Sequence, residues 1–173
     1  MVLTLFVTEA DAAPDPSFLA GAVSAHWCGD DRRLLVYAPA DWRVPAGFTR
    51  HGLTPLMAIG GASAGEAAPF HYLVWTDVAD GWDDELNAWY RDEHLPGLAG
   101  VPGAVRARRF AQDGEGPRYL ACYDLIAPDV LGSPPWLAVR ATGWSSRVRP
   151  QFRNTRRWMC ATLPVLSNAP QGY

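Results

Sequence analysis

The stretch Phe70-His71-Tyr72-Leu73-Val74-Trp75-Thr76-Asp77 is followed closely by Asp83-Asp84-Glu85-Leu86-Asn87-Ala88-Trp89-Tyr90-Arg91-Asp92-Glu93-His94-Leu95-Pro96, and the pair decides the reading of the fold. The first part is rich in aromatic and branched residues and alternates: Phe70, Tyr72, Val74 and Thr76 share one face, and His71, Leu73, Trp75 and Asp77 share the other. That is the period of a strand. In the second part, Asp83-Asp84-Glu85 supplies an N-cap and an acidic first turn. Leu86, Trp89, Tyr90, Glu93 and His94 then recur at helical spacing, and Pro96 predicts the helix end.

Downstream, Ala104 to Phe110 and Arg118 to Ile126 read as two strands that pair antiparallel across the turn-rich Gln112-Asp113-Gly114-Glu115-Gly116. Pro134-Pro135 opens a helical stretch from Trp136 to Thr142, with a second short helix at Ser145 to Arg149. Thr155 to Leu163 alternates again, with Arg156, Trp158, Cys160 and Thr162 on one side and Arg157, Met159, Ala161 and Leu163 on the other. From residue 70 the order is β-α-β-β-α-β, a ferredoxin-like pattern in an α+β protein.

Upstream, Gly60 to Pro69 is the best linker, rich in Gly and Ala. Three segments follow from that punctuation: residues 1–62 as a βαββ half packing on the second sheet, residues 70–165 as the main domain, and residues 166–173 as a C-terminal tail. The first half predicts strands at Leu3–Thr8, Arg33–Ala38 and Leu53–Ile59, and a helix from Asp15 or Pro16 to Trp27. Sliding the chain by 68 residues places Leu5 on Leu73, Thr8 on Thr76, Asp15 on Asp83 and His26 on His94. This pattern fits a worn, degenerate half-repeat and equally fits coincidence. A true repeat would let one chain build a barrel-like core alone.

At 173 residues and 18.9 kDa, with 49% hydrophobic residues and eight Trp, the chain is long enough for an ordinary packed core. A net charge of −3 argues against nucleic acid as a partner. All fifteen basic residues are Arg, so Schiff-base chemistry, a pyridoxal-phosphate anchor and a phosphate-loop lysine are excluded. Cys28, Cys122 and Cys160 are far apart and odd in number, and read as buried reduced thiols with no metal site. Met1 to Thr8 has no basic flank, and no apolar run reaches membrane-spanning length, so the expectation is a cytoplasmic protein with no membrane partner.

Ala88-Trp89-Tyr90-Arg91-Asp92-Glu93-His94-Leu95-Pro96 resembles the first helix of the dimeric α/β-barrel superfamily, and within it the EthD-like proteins, which often carry Trp-Tyr-x-x-Glu-His-x-Pro. The likeness extends through Pro102-Gly103, the Arg-rich strand and Tyr119 to Leu125. It covers roughly Tyr72 to Leu163 and says little about the first sixty residues. The resemblance implies a homodimer that pairs two sheets face to face. It implies no single reaction, since relatives include cofactor-free monooxygenases, isomerases, polyketide cyclases, lyases and haem-dependent enzymes.

Leu86, Tyr90 and His94 share one helical stripe that should face the sheet. There His94 would move a proton and Tyr90 would donate or orient a hydrogen bond. The bland alternative is that His94 caps the last turn and Tyr90 fills core. Trp75, Trp89 and Trp158 supply candidate apolar walls, and His71 and Asp77 share the Trp75 strand face, although His71 at a strand end reads equally as a solvent residue. Arg106 is a candidate for binding a carboxylate or phenolate, with a solvated edge arginine as the plainer reading. His26 reads as a surface helix residue and His51 as a loop residue.

No nucleotide-binding glycine motif, nucleophile elbow or paired His-x-x-x-His occurs. The expectation is therefore an enzyme without a cofactor, acting by His-mediated proton transfer on a small aromatic, hydrophobic or polyketide-like substrate as an isomerase, cyclase or lyase. A cofactor-free monooxygenase, a haem-binding relative and a non-catalytic ligand-binding protein are the competitors.

Overall fold

The computed structural model describes residues 3–44 and 46–165; the expected tail at 166–173 lies outside the described residues. Eight strands, all paired antiparallel, close into one barrel: β1 (Leu3–Glu9), β2 (Ser24–Cys28), β3 (Arg33–Pro39), β4 (Thr49–Gly60), β5 (Phe70–Val78), β6 (Ala104–Asp113), β7 (Tyr119–Leu125) and β8 (Phe152–Leu163). Around the barrel the order is β1-β3-β2-β8-β5-β7-β6-β4. The helices are short: α1 (Asp83–Trp89), α2 (Leu95–Ala99), α3 (Pro134–Arg140) and α4 (Gly143–Val148). The fold is α+β.

Written from its own first strand, the N-terminal half runs β4-β1-β3-β2 and the C-terminal half β8-β5-β7-β6. Both orders are fourth-first-third-second. The seams match as well, since β2 joins β8 and β4 joins β6, each the second strand of one half against the fourth of the other.

Alternation decides what each strand turns inward. Leu5 and Val7 of β1, Leu35 and Tyr37 of β3, Leu73 and Trp75 of β5, Leu120 and Cys122 of β7 and Trp158 and Cys160 of β8 fill the barrel. The outer face of the C-terminal half packs under the helices through Leu86, Trp89, Tyr90, Leu95, Tyr123 and Trp136. The outer face of the N-terminal half is covered by the turn and loop residues Phe18, Trp42 and Phe48, which pack on a cluster that includes Phe6, Leu34 and Val36.

Several expectations change. The helix predicted to Trp27 shrinks to a single 3₁₀ turn, Pro16–Leu19, capped by Asp15. Gly21 with φ of 80° follows it, and Ser24–Cys28 is a strand bonded to β3 and β8. His26 is therefore a buried barrel residue, not a surface helix residue. His51 lies in β4 and is buried, not in a loop. The helix at residue 83 does not stop at Pro96: a π turn over Tyr90–His94, closed by the Leu95 N–H on the Tyr90 carbonyl, leads into α2 with Pro96 in its first turn. Gly60 to Pro69 is no free linker, because Gly61 N–H donates to Val105 O at 2.8 Å and Ala62 N–H to Ala99 O at 2.8 Å.

The thiols also differ from expectation. Cys28 and Cys160 form a disulfide between β2 and β8, and Cys122 alone is a free, buried cysteine. The pairing follows from strand register: Trp27 sits opposite Ala161, which puts Cys28 and Cys160 opposite each other on the inner face. Among the described residues no helix is long and apolar enough to cross a membrane.

Candidate functional site

The stripe Leu86, Tyr90, His94 is buried against the outer face of the C-terminal sheet, as its spacing predicts. His94 stacks on Trp89 with ring centroids 4.0 Å apart and meets the Tyr90 ring edge-on at 5.3 Å. Glu93 points away from His94 and acts through a neighbour. Its Oε1 accepts from Trp89 Nε1 at 3.2 Å and from the Thr142 hydroxyl at 2.6 Å, and Thr142 Oγ1 in turn accepts from Ser145 N–H to cap α4. Glu93 thereby fixes the indole on which His94 rests and ties the first helix to the last.

A small cleft opens beside His94, enclosing about 30 Å³, between the sheet and the helices. Tyr72, Trp89, Tyr90, Tyr123 and Trp136 form its aromatic walls, and Arg140, Arg149 and Arg157 stand around it. None of these three arginines has a carboxylate partner among the described residues. Two polar atoms within the cleft lining are buried without a hydrogen-bond partner: His94 Nδ1 and the Tyr123 hydroxyl.

Burial, followed by the charges of Arg149, Arg140 and Arg109, pushes the His94 pKa down to about 3. The ring is neutral at pH 7, with a lone pair available. Burial pushes Tyr90 up to about 12 against the pull of Arg109, whose guanidinium lies 4.3 Å from the centre of the Tyr90 ring. Tyr90 is therefore a protonated phenol. Burial likewise holds the Tyr123 phenol well above its ordinary value. The cleft thus offers a neutral base, neutral phenols and unpaired cations against aromatic walls.

The remaining sequence candidates are elsewhere. Trp75 and Trp158 lie inside the barrel, their rings 6.2 Å apart, across the sheet from His94. They line an open pocket of about 780 Å³ at one barrel end, together with His51, which meets Trp75 edge-on at 4.6 Å. His71 is fully buried within the barrel, contrary to the solvent reading. Its Nδ1 meets Asp124 Oδ1 at 2.7 Å, its Nε2 meets the Tyr37 hydroxyl at 3.1 Å, and His26 stacks on it at 3.9 Å. Arg106 donates to Asp124 Oδ2 at 2.8 Å. Burial opposes a charge on both groups, yet the His71–Asp124 contact, aided on the Asp124 side by Arg108 and Arg106, raises the His71 pKa and holds Asp124 below the usual carboxylate range.

Asp77 belongs to neither group. Past a register shift in its pairing with β8, it accepts from Arg118 N–H at 2.7 Å and Asn154 Nδ2 at 2.9 Å. Of the eight sequence candidates, only Tyr90, His94 and Trp89 share the cleft. Tyr72, Tyr123, Arg140, Arg149 and Arg157 were missed. The alternation of β5 and β8 already placed Tyr72 and Arg157 on the face opposite Trp75 and Trp158, and that signal would have found both.

Among the described residues no cluster of metal-ligating side chains occurs. The residues also do not fit a haem, since His94 is closed in by the Trp89 ring and the space beside it is about 30 Å³.

No family model and no curated protein matches the chain. Solved structures do. A candidate monooxygenase from Fusobacterium nucleatum superposes with a TM-score of 0.64 at 9% identity, covering 99% of this chain and 96% of that one. The fold is shared. A major regulator of staphylococcal pathogenesis gives a TM-score of 0.60 at 10% identity, covering 92% of this chain and 98% of that one. An anthrone oxidase-like protein gives 0.59 at 11% identity, with 98% and 96% covered. The chain is thus a small α+β barrel like these three, and identities this low carry the architecture only.

Proposed function

We propose that the protein is a cofactor-independent enzyme that removes a proton from a small aromatic or polyketide-like substrate in the cleft beside His94. The observation that carries this reading is the neutral, unpartnered Nδ1 of His94, held on Trp89 against Tyr90 within aromatic walls. His94 takes the proton from an acidic C–H or O–H, and Tyr90 or Tyr123 donates a hydrogen bond to the oxygen on which charge develops. Isomerisation, cyclisation and carbon–carbon cleavage all start from that anion. Oxygenation by dioxygen starts from it too, and the names of two structural neighbours favour that fate.

The architecture belongs to the same reading. We take residues 1–62 and 70–165 as two copies of a ferredoxin-like unit of EthD-like type, the first having replaced its helices by loops. The common strand order and the matched seams support it. The homodimer implied by the family resemblance would have no open sheet face left to pair through.

A second reading, a non-catalytic binding protein, is favoured by the small enclosed space and by the weak basicity of His94. The regulator among the neighbours shares the fold. Anthrone incubated with the protein in deuterated buffer under argon separates the two. Uptake of deuterium at its acidic methylene, slowed about 100-fold or more in His94→Ala, is expected of the enzyme. Binding without exchange, or exchange that survives the substitution, overturns it.

A further inference from the structure

Three arginines gather around one aromatic cleft with no carboxylate to balance them. Arg140 comes from the end of α3, Arg149 from the residue after α4, and Arg157 from the outward face of β8. By contrast, Arg91, Arg106, Arg108, Arg118 and Arg147 each have a carboxylate partner. Like charges held together without counterions cost free energy, and the Arg149 pKa is lowered by burial and by the charges of Arg140 and Arg157. Behind them lie the two buried orphan polar atoms, His94 Nδ1 and the Tyr123 hydroxyl, in a space of about 30 Å³. A cavity of that size holds a water or a group of similar bulk.

We propose that the cleft recognises an anion: the ligand is an aromatic acid whose carboxylate sits among Arg140, Arg149 and Arg157 while its ring stays at the mouth, over the half-buried Tyr72 and Phe152. The proposal rests on the helix-side cleft being the site, and it names the substrate class for it. Guanidinium groups match a carboxylate in shape and charge, and their side chains can swing to meet it, since Arg157 is exposed and Arg140 and Arg149 are only half-buried. The Tyr123 hydroxyl donates to the incoming carboxylate. An anion placed between Arg140 and Arg149 also offsets two of the charges that hold the His94 proton off, so the base strengthens when the substrate is bound. Empty, the cleft keeps a neutral imidazole.

The probes are anthracene-9-carboxylate and its neutral counterpart 9-anthracenemethanol, titrated into the full chain and read by fluorescence polarisation. The carboxylate is expected to bind about tenfold or more tightly than the alcohol, as charge-assisted hydrogen bonds allow. Arg149→Gln and the exposed Arg157→Gln should each erode that preference, and Arg157→Lys should restore only part of it. Equal affinity for the two probes, a preference unchanged in both glutamine variants, or no binding of either probe overturns the proposal. Deuterium exchange on neutral anthrone reads the other claim separately: exchange that needs His94 without a carboxylate preference leaves the enzyme reading standing, and a carboxylate preference without exchange leaves only the anion site.

Discussion

His71 Nδ1 and Asp124 Oδ1 lie 2.7 Å apart inside the barrel, across the sheet from the His94 cleft. Asp124 also receives Arg106 at 2.8 Å and Arg108 at 3.4 Å, so one carboxylate balances a histidine and two arginines. His71 and Asp124 are register partners of β5 and β7 on the inner face, and Arg106 is opposite Asp124 on β6. The group is a structural ion cluster that pins three neighbouring strands, and its histidine was drawn from the same sequence segment as the candidate site.

Asp124→Asn should therefore cost stability. Arg108 is buried and would keep its charge with no anion, and removing one partner of a buried pair costs about 3–5 kcal/mol. Urea denaturation of the wild type and the variant at pH 7 measures it, and a loss below about 1 kcal/mol would show that water or another group supplies the missing charge.

Acid should destabilise the fold well above the carboxylate range. His94 has its pKa depressed to about 3 and His26 well below the ordinary value, both chiefly by burial. The unfolded chain, with histidines near 6.5, binds protons that the folded chain refuses, so this contribution is present above about pH 6.5 and lost as pH falls toward 3, at ~1.4 kcal/mol per unit for each histidine. His71, with its pKa raised, acts oppositely: its contribution is present below about pH 6.5 and lost as pH rises through its folded value. From pH 6.5 to 4.5 the loss should be smaller by about 2 kcal/mol in His94→Phe, which keeps the stack on Trp89. Parallel losses in both proteins would mean that His94 is already charged in the fold.

The Cys28–Cys160 bridge should leave one titratable thiol, Cys122, in protein unfolded without reductant. Reduction should lower stability by about 4 kcal/mol, because the bridge closes a loop of more than a hundred residues. Three reactive thiols in the unreduced protein would show the bridge to be absent.

Much of the C-terminal half was legible because its signals are local. Period-two alternation assigned the faces of β5 and β8, and the spacing of Leu86, Tyr90 and His94 placed a buried stripe on the sheet. The N-terminal half was not, for reasons visible in single residues. Ser24-Ala25-His26-Trp27-Cys28 continues a helix-like run in composition, and it becomes a strand because β8, more than a hundred residues away, offers it an edge. His51 was read as a loop residue for the same reason: β4 is a strand by virtue of its pairing with β1 and β6.

By itself, the sequence determined the element types of the second half, the absence of lysine chemistry and the helix that carries Tyr90 and His94, since each follows from composition or from neighbours within a few turns. Only the tertiary structure decided that His71, Trp75 and Trp158 belong to the barrel interior, that the exposed Arg106 pairs with Asp124 and not with the His94 cleft, and that three arginines from α3, the α4 end and β8 meet there. A strand puts neighbouring residues on opposite faces of a sheet, and which face becomes barrel and which lies under helices depends on closure by strands far away in the chain.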